Sequence, residues 1–283
     1  MTVLLHLSDP HFGTEQASVV EAVVALARQL QPDLVVLSGD ITQRARPAQF
    51  RAARVFIDRL AAPWLTIPGN HDIALFDLLS RLWRPYERYR AAFGEVLEPC
   101  HESNDLLVLG VKTTRRRRHK HGELSSQQIE RVARRLHAAR DEQLRVVVVH
   151  QPLVVPAGPD ESNLLRGHAH ARQAWAAAGA DLVLGGHIHL PFVMRVPGAA
   201  RAAWVVQAGT AVSSRVRPGV PNSVNVVRWE RRRGDRQGDG PGEMGRAAGR
   251  ITVEQWDHSA ASGAFEPRAI QRLVPGADLR PAV

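Results

Sequence analysis

Apolar and polar positions follow two regimes along the chain, with the change near residue 190. Before it, Val3–Leu7, Asp33–Leu37, Trp64–Ile67, Leu106–Val111, Arg145–Val149 and Asp181–Leu184 are short apolar runs of the kind a strand buried on both faces requires. Between them, Ala17–Leu30 carries Val20, Val23, Val24, Ala27 and Leu30 at helical spacing. Pro47 opens a second helix with Phe50, Ala53, Ile57 and Leu60 on one face. Ser125–Arg140, capped by Ser125 or Ser126, and Arg166–Ala178 are two more. Leu75, Leu79, Leu82, Trp83, Tyr86, Tyr89 and Phe93 recur at three- and four-residue steps, which predicts two short amphipathic helices meeting at Pro85. After Leu190 only strands are expected: Phe192–Val196, Ala203–Gln207, Ser223–Trp229 and Arg250–Trp256. The stretch 231–249 is rich in Gly, Arg and Asp without apolar periodicity and reads as a mobile loop. With no repeat and no linker, the pattern predicts one α/β domain over residues 1–272 and a tail at 273–283.

The polar residues that interrupt this pattern fall at strand ends. Five loops, each just after a predicted strand, carry metal-type ligands: Asp9-Pro-His11, Gly39-Asp40, Gly69-Asn70-His71-Asp72, His150, and Gly186-His187-Ile-His189. Open α/β sheets bind ligands at the carboxyl ends of their strands, so residues 180 positions apart are expected to converge. Asp-x-His and His-x-His spacings let two side chains leave an extended segment on one side. Mixed imidazole and carboxylate ligands favour Zn, Mn, Fe or Co over Ca or Mg. A single Asp-x-His or Gly-Asp pair is ordinarily turn chemistry; five such loops in this order are not.

With these blocks in this order, residues 3–210 resemble the calcineurin-like metallophosphoesterase superfamily, in particular its cyclic-nucleotide phosphodiesterase and UDP-diacylglucosamine hydrolase branches. The resemblance implies a four-layer αββα sandwich of two mixed β-sheets flanked by helices, with a dinuclear site at the strand ends. It implies that Asp9, His11, Asp40 and His189 hold one divalent ion, that Asp40, Asn70, His150 and His187 hold the other, and that Asp40 bridges them. The ions would be Mn, Fe or Zn, and a hydroxide shared between them would attack phosphorus. His71 would stand beside the scissile phosphate and protonate the leaving oxygen. Gln43 stands where many relatives have an acidic residue or Asn to orient that histidine, which makes Asp72 a candidate partner for His71. Gln151 stands where many relatives have a second histidine after His150.

Composition narrows the partner. The 283 residues are 44% hydrophobic, ordinary for a globular chain, and no run approaches the length of a membrane-spanning helix. The opening Met1-Thr-Val-Leu-Leu-His6 lacks a basic region and runs into Ser8 and Asp9, so no signal peptide is expected there. With a single cysteine, Cys100, a reducing, cytoplasmic compartment is expected, and Cys100 itself is expected to be a buried or semi-buried thiol. The net charge of +9 is almost all arginine, since Lys112 and Lys120 are the only lysines. Arginine on solvated faces and attraction to a polyanion both account for it.

Position sharpens the second account. Arg115, Arg116, Arg117 and Arg118 follow a strand, on the side where the ligand loops gather, and are expected to grip a phosphate-bearing substrate. As a charge run they would otherwise form a solvated face. The aromatic segment 75–93 is either packed on the core or an exposed, Arg-rimmed lip able to admit an acyl chain or touch an anionic membrane surface. His168 and His170 precede a helix rather than end a strand and are expected to be non-ligands, and His6 is expected to be structural. The leading function is a phosphodiesterase or pyrophosphatase of a small, nucleotide or lipid-linked phosphate ester. A nuclease is the alternative within the chemistry, and a metal-free scaffold of the same fold the alternative outside it; the complete ligand set argues against the latter.

Overall fold

The computed structural model describes residues 1–74, 78–116, 120–156, 158–199, 201–231 and 249–275, with 78–80 as backbone alone. The predicted strands β1 (Thr2–Leu7), β2 (Leu34–Leu37) and β3 (Trp64–Thr66) pair in parallel, Leu5 opposite Val35 and Val36 opposite Leu65. On its other side β1 pairs antiparallel with β10 (Ser223–Glu230), followed outward by β11 (Arg250–Ser259) and β12 (Ala264–Leu273). This six-stranded sheet has the order β12-β11-β10-β1-β2-β3. The second sheet has the order β4-β5-β6-β7-β9-β8. Its parallel centre is β5 (Leu106–Gly110), β6 (Leu144–Val148), β7 (Leu182–Gly185) and β9 (Trp204–Gln207); β4 (Cys100–Glu102) and β8 (Phe192–Arg195) are antiparallel edges.

Alternation along the strands builds the layers. Leu4, Leu34, Val36 and Leu65 of the first sheet meet Val108, Val146, Val148, Leu182 and Leu184 of the second. Val3, Leu5 and Leu7 point the other way, into the helices α1 (Ala17–Leu30) and α2 (Pro47–Arg59). Val147 and Val183 likewise face α5 (Ser126–His137) and α6 (His168–Ala177). The result is helix, sheet, sheet, helix: the αββα sandwich. Mostly apolar central strands follow because each sheet is covered on both faces; a polar exception, His6 in β1, is buried with a hydrogen-bond partner.

Two elements depart from expectation. The sequence pattern gave no strand at 264–273, yet β12 pairs with β11 along its whole length. It is an edge strand with most side chains exposed, so it lacks apolar alternation, and Pro267 sits at the irregularity opposite Trp256. The short strand β4 was also not anticipated. The predicted lip forms as α3 (Leu78–Trp83) and α4 (Glu87–Phe93), with Pro85 between them. The predicted loop at 231–249 lies outside the described residues except at its two ends.

Candidate metal centre

The ligand loops meet along the edge where both sheets present the carboxyl ends of their parallel strands. The loop after β1 runs beside the loop after β2: the amide of Asp9 donates to Gly39 O, His11 to Asp40 O, and Phe12 to Ile41 O, at 2.9–3.1 Å. The amide of Gly186, after β7, donates to His150 O, after β6, at 2.9 Å. The sheets are joined here because the His187 amide donates to Asp9 Oδ2 at 2.9 Å. Close approach depends on glycine: a Cβ on Gly69 would lie 2.0 Å from the Asp40 amide nitrogen, and one on Gly186 would lie 1.9 Å from Ser8 Oγ.

Five of the predicted ligands hold a left-handed backbone that side chains other than glycine rarely adopt: Asp9 (φ 50°), His11 (43°), Asp40 (47°), His187 (74°) and His189 (54°). Each such residue costs on the order of 1–3 kcal/mol, and clustered strain of this kind marks a site where geometry outranks local comfort.

Three groups of ligand atoms form, each within 4.8 Å: Asp9, His11 and His189; His11, Asp40 and His71; Asp40, His150 and His187. In the first, His189 Nε2 lies 3.3 Å from Asp9 Oδ1 and 3.2 Å from His11 Nε2. In the third, His150 Nε2 lies 3.3 Å from Asp40 Oδ1 and 3.2 Å from Asn70 Oδ1. Asp40 faces both halves, because its other oxygen, Oδ2, lies 3.8 Å from His11 Nε2. That is the disposition a bridging carboxylate needs.

The donor set fits cations. His150 Nδ1 donates to Ser38 O at 2.9 Å and His189 Nδ1 to Arg215 O at 2.7 Å, which leaves each Nε2 lone pair facing the centre. Asp9 Oδ1 and His187 Nδ1 are buried with no hydrogen-bond partner, an arrangement that stands when a metal completes it. Burial works against ionisation of Asp9 and Asp40, yet His189 beside Asp9 and His150 beside Asp40 hold both carboxyls well below the usual range. Burial also opposes charge on His150, but Asp40 outweighs it and lifts the ring to about 9, so the Nε2 lone pair would be freed for a metal by loss of that proton as the ion binds. Burial alone dominates at His11 and His187, pushed down to about 3, so both rings are neutral ligands at ordinary pH.

His71 stands at the rim, its ring 4.9 Å from that of His11. Its Nδ1 is fixed by Gln43 O at 2.9 Å, and its amide donates to Asp40 Oδ1 at 2.8 Å. The expected pairing of His71 with Asp72 is therefore corrected: a backbone carbonyl of Gln43 orients the ring. Asp72 is instead a staple between loops, accepting from the amides of Gly69 (2.8 Å), Ile41 (3.0 Å) and Thr42 (2.8 Å) and from the Thr42 hydroxyl. Burial, with Asp40 nearby, raises it to about 6.

Of the basic run, the two described arginines do not point into the centre. Arg115 turns toward α5 and donates to Gln128 Oε1 at 2.7 Å, and Arg116 donates to Leu82 O at 2.9 Å. Arg117 and Arg118 lie outside the described residues. The cleft over the centre, about 490 Å³, is lined instead by Lys120, Asp160, Asn163, Arg215 and Arg217 beside the ligands. The arginines at 215 and 217 were missed, although their loop follows β9, which is parallel to β7 and ends on the same edge. Among the described side chains of the lip, Tyr86, Tyr89 and Phe93 are buried, while Leu82 (49% exposed) and Trp83 (81%) remain outside; Leu75 and the Leu79 side chain lie outside the described residues. Cys100 is exposed on β4 rather than buried. His168 and His170 lie in the first turn of α6, away from the ligand groups.

Residues 2–191 match the family model of the calcineurin-like phosphoesterases, and the chain belongs to that family. Among curated proteins, it is 37% identical over 83 residues to the glycerophosphodiester phosphodiesterase GpdQ of Enterobacter lignolyticus, covering 25% of this chain and 29% of that protein. It is 25% identical over 186 residues to a probable cyclic nucleotide phosphodiesterase of Synechococcus, covering 61% of this chain and 64% of that one. The matched segments thus span less than two thirds of either relative. Among solved structures, a dimetal phosphatase from Danio rerio superposes with a TM-score of 0.64 at 11% identity, over 97% of this chain and 98% of that one, which shows the shared fold.

Proposed function

We propose that this chain is a dinuclear-metal-dependent phosphodiesterase acting on a small phosphodiester. Asp9, His11, Asp40 and His189 hold one ion and Asp40, Asn70, His150 and His187 the other, each Mn, Fe or Zn. The observation that carries this reading is the convergence of seven donors from both sheets on two adjoining groups, with Asp40 facing both. Bound there, the ions supply a nucleophilic water at neutral pH and neutralise charge on phosphate oxygens. The chain's own residues do the rest. The Gln43 carbonyl holds His71 with Nε2 toward the cleft, placed to hand a proton to the departing alkoxide as the P–O bond breaks. The link from the His71 amide to Asp40 ties the acid's position to the bridge.

A diester substrate is supported by the two phosphodiesterase-named relatives, and a small one by a cleft of about 490 Å³, the size of small-molecule sites. The deciding experiment is metal analysis with a substrate panel: bis-p-nitrophenyl phosphate, a glycerophosphodiester, a cyclic nucleotide, UDP-diacylglucosamine and single-stranded DNA. Close to two transition ions per chain and diester turnover are expected, and Asp40→Ala loses both. Full turnover in Asp40→Ala overturns the assignment.

A further inference from the structure

Arg215 and Arg217 enter the same cleft from one loop but in opposite electrostatic states. Arg217 is neutralised: Nη1 and Nη2 donate to the two oxygens of Asp160 at 3.0 and 3.1 Å. Arg215 pairs with no carboxylate among the described residues; Nη1 lies 2.9 Å from Gln43 Oε1, 3.3 Å from His11 Nδ1 and 3.4 Å from His71 Nε2. None of these contacts is a carboxylate, so its charge is oriented and not cancelled. A half-buried cation of this kind is costly until an anion meets it.

The position is fixed before any ligand arrives. The Arg215 amide donates to Ser213 Oγ at 3.0 Å, and its carbonyl accepts from His189 Nδ1 at 2.7 Å and from the Thr210 hydroxyl at 3.2 Å. The residue thus orients a ligand of one predicted ion through its carbonyl and reaches the rim beside His71 through its guanidinium. Gln43 completes the arrangement: its amide oxygen aims the guanidinium without neutralising it, whereas a carboxylate at that position would do both.

The geometry points to Arg215 as the substrate-phosphate clamp of this site: its guanidinium grips a non-bridging phosphate oxygen on the His71 side, and Gln43 keeps that charge available. The inference rests on the phosphodiesterase reading and assigns the anion grip to Arg215 in place of the 115–118 run. A guanidinium fork matches phosphate oxygens in a way a lysine cannot, and a charge-assisted hydrogen bond is the strong kind.

The test is calorimetric titration of inorganic phosphate into Mn-loaded wild type, Arg215→Gln, Arg215→Lys and Gln43→Glu, with metal content measured on each and KM for bis-p-nitrophenyl phosphate alongside. Arg215→Gln weakens phosphate binding and raises KM on the order of tenfold or more at unchanged metal content. Arg215→Lys falls between it and wild type, and Gln43→Glu reproduces the loss by pairing the guanidinium. Equal phosphate affinity in wild type and Arg215→Gln overturns the inference, whatever the turnover. Loss of diester turnover in a wild type that still binds phosphate through Arg215 counts against the proposed function alone.

Discussion

His71 and Asp72 adjoin in sequence, yet the short 3-10 turn they share sends one side chain to the cleft rim and the other into backbone amides. If His71 acts as the acid, its loss matters in proportion to how badly the leaving group needs a proton. His71→Ala is expected to lower kcat about 10²–10⁴-fold on a diester with an alkyl alcohol leaving group. With p-nitrophenolate, which departs unprotonated, the loss is much smaller, and metal content is unchanged. Equal losses on both substrates would exclude the acid role. His6 offers a second residue-scale test. It is buried between the sheets, bonded to Ser38 Oγ at 2.9 Å and Asn225 Nδ2 at 3.4 Å, and burial lowers its pKa from 6.5 to about 3. The fold therefore holds it neutral, while the unfolded chain protonates it below 6.5. Its contribution is intact above that pH and is lost as pH falls toward 3, amounting to roughly 5 kcal/mol at most. Urea denaturation of EDTA-treated protein between pH 7 and 4 checks this: His6→Gln shows a shallower acid slope than wild type, and identical slopes refute it. At this scale the candidate ligands were legible only as a set, because one Asp-x-His is ordinarily turn chemistry while five such loops in order after strands are not. The partner of His71 was not, because a backbone carbonyl leaves no mark in side-chain identity.

At the scale of elements, legibility followed burial. The central strands and α5 stand where their periodicity put them, since each buries a face that only apolar residues can supply. The start of α5 was also written in its cap: Gln128 N donates to Ser125 Oγ at 3.2 Å and Ser125 N to Gln128 Oε1 at 3.1 Å. Ser125→Ala is expected to cost about 1 kcal/mol in chemical denaturation, and Ser125→Thr much less; an unchanged midpoint in the alanine variant would show the cap to be dispensable. β12 was illegible for the opposite reason. It buries only Phe265 and Leu273 and is otherwise held by its backbone ladder to β11, which leaves no apolar pattern in the sequence. The cleft arginines show a third case. The gathering of ligands at the carboxyl ends of strands extends beyond the strands that carry metal-type residues to β9, whose loop carries Arg215 and Arg217. The run at 115–118 was conspicuous in sequence, yet Arg115 and Arg116 are occupied by Gln128 and by the α3 backbone.

For the molecule as a whole, the centre lies across the seam of the sandwich. Asp9, His11, Asp40 and Asn70 come from loops of the first sheet, and His150, His187 and His189 from loops of the second. Sequence order made the fold legible through the family pattern, but the seam itself follows from which strands pair, and no single motif records that. A physical consequence is that the proposed ions act as staples between sheets. Burial and, to a smaller degree, its same-sheet neighbour Asp40 oppose ionisation of Asp9, while His189 from the other sheet holds that carboxyl well below the usual range. Ions that bind only the folded chain stabilise it by mass action. Loading with Mn is therefore expected to raise the melting temperature and to slow amide exchange in the Asp9–Phe12 and Gly39–Thr42 loops together with the Gly185–His189 loop. Asp40→Asn tests the electrostatic part: His150 outweighs burial and holds the Asp40 carboxyl well below the usual range, so removing that charge is expected to leave the EDTA-treated variant less stable than EDTA-treated wild type and to shrink the increment gained from Mn. Protection confined to the loops of one sheet would mean that the ions do not bridge the seam, and an EDTA-treated Asp40→Asn protein at least as stable as wild type would show that the Asp40 charge is not favoured by its histidine neighbours.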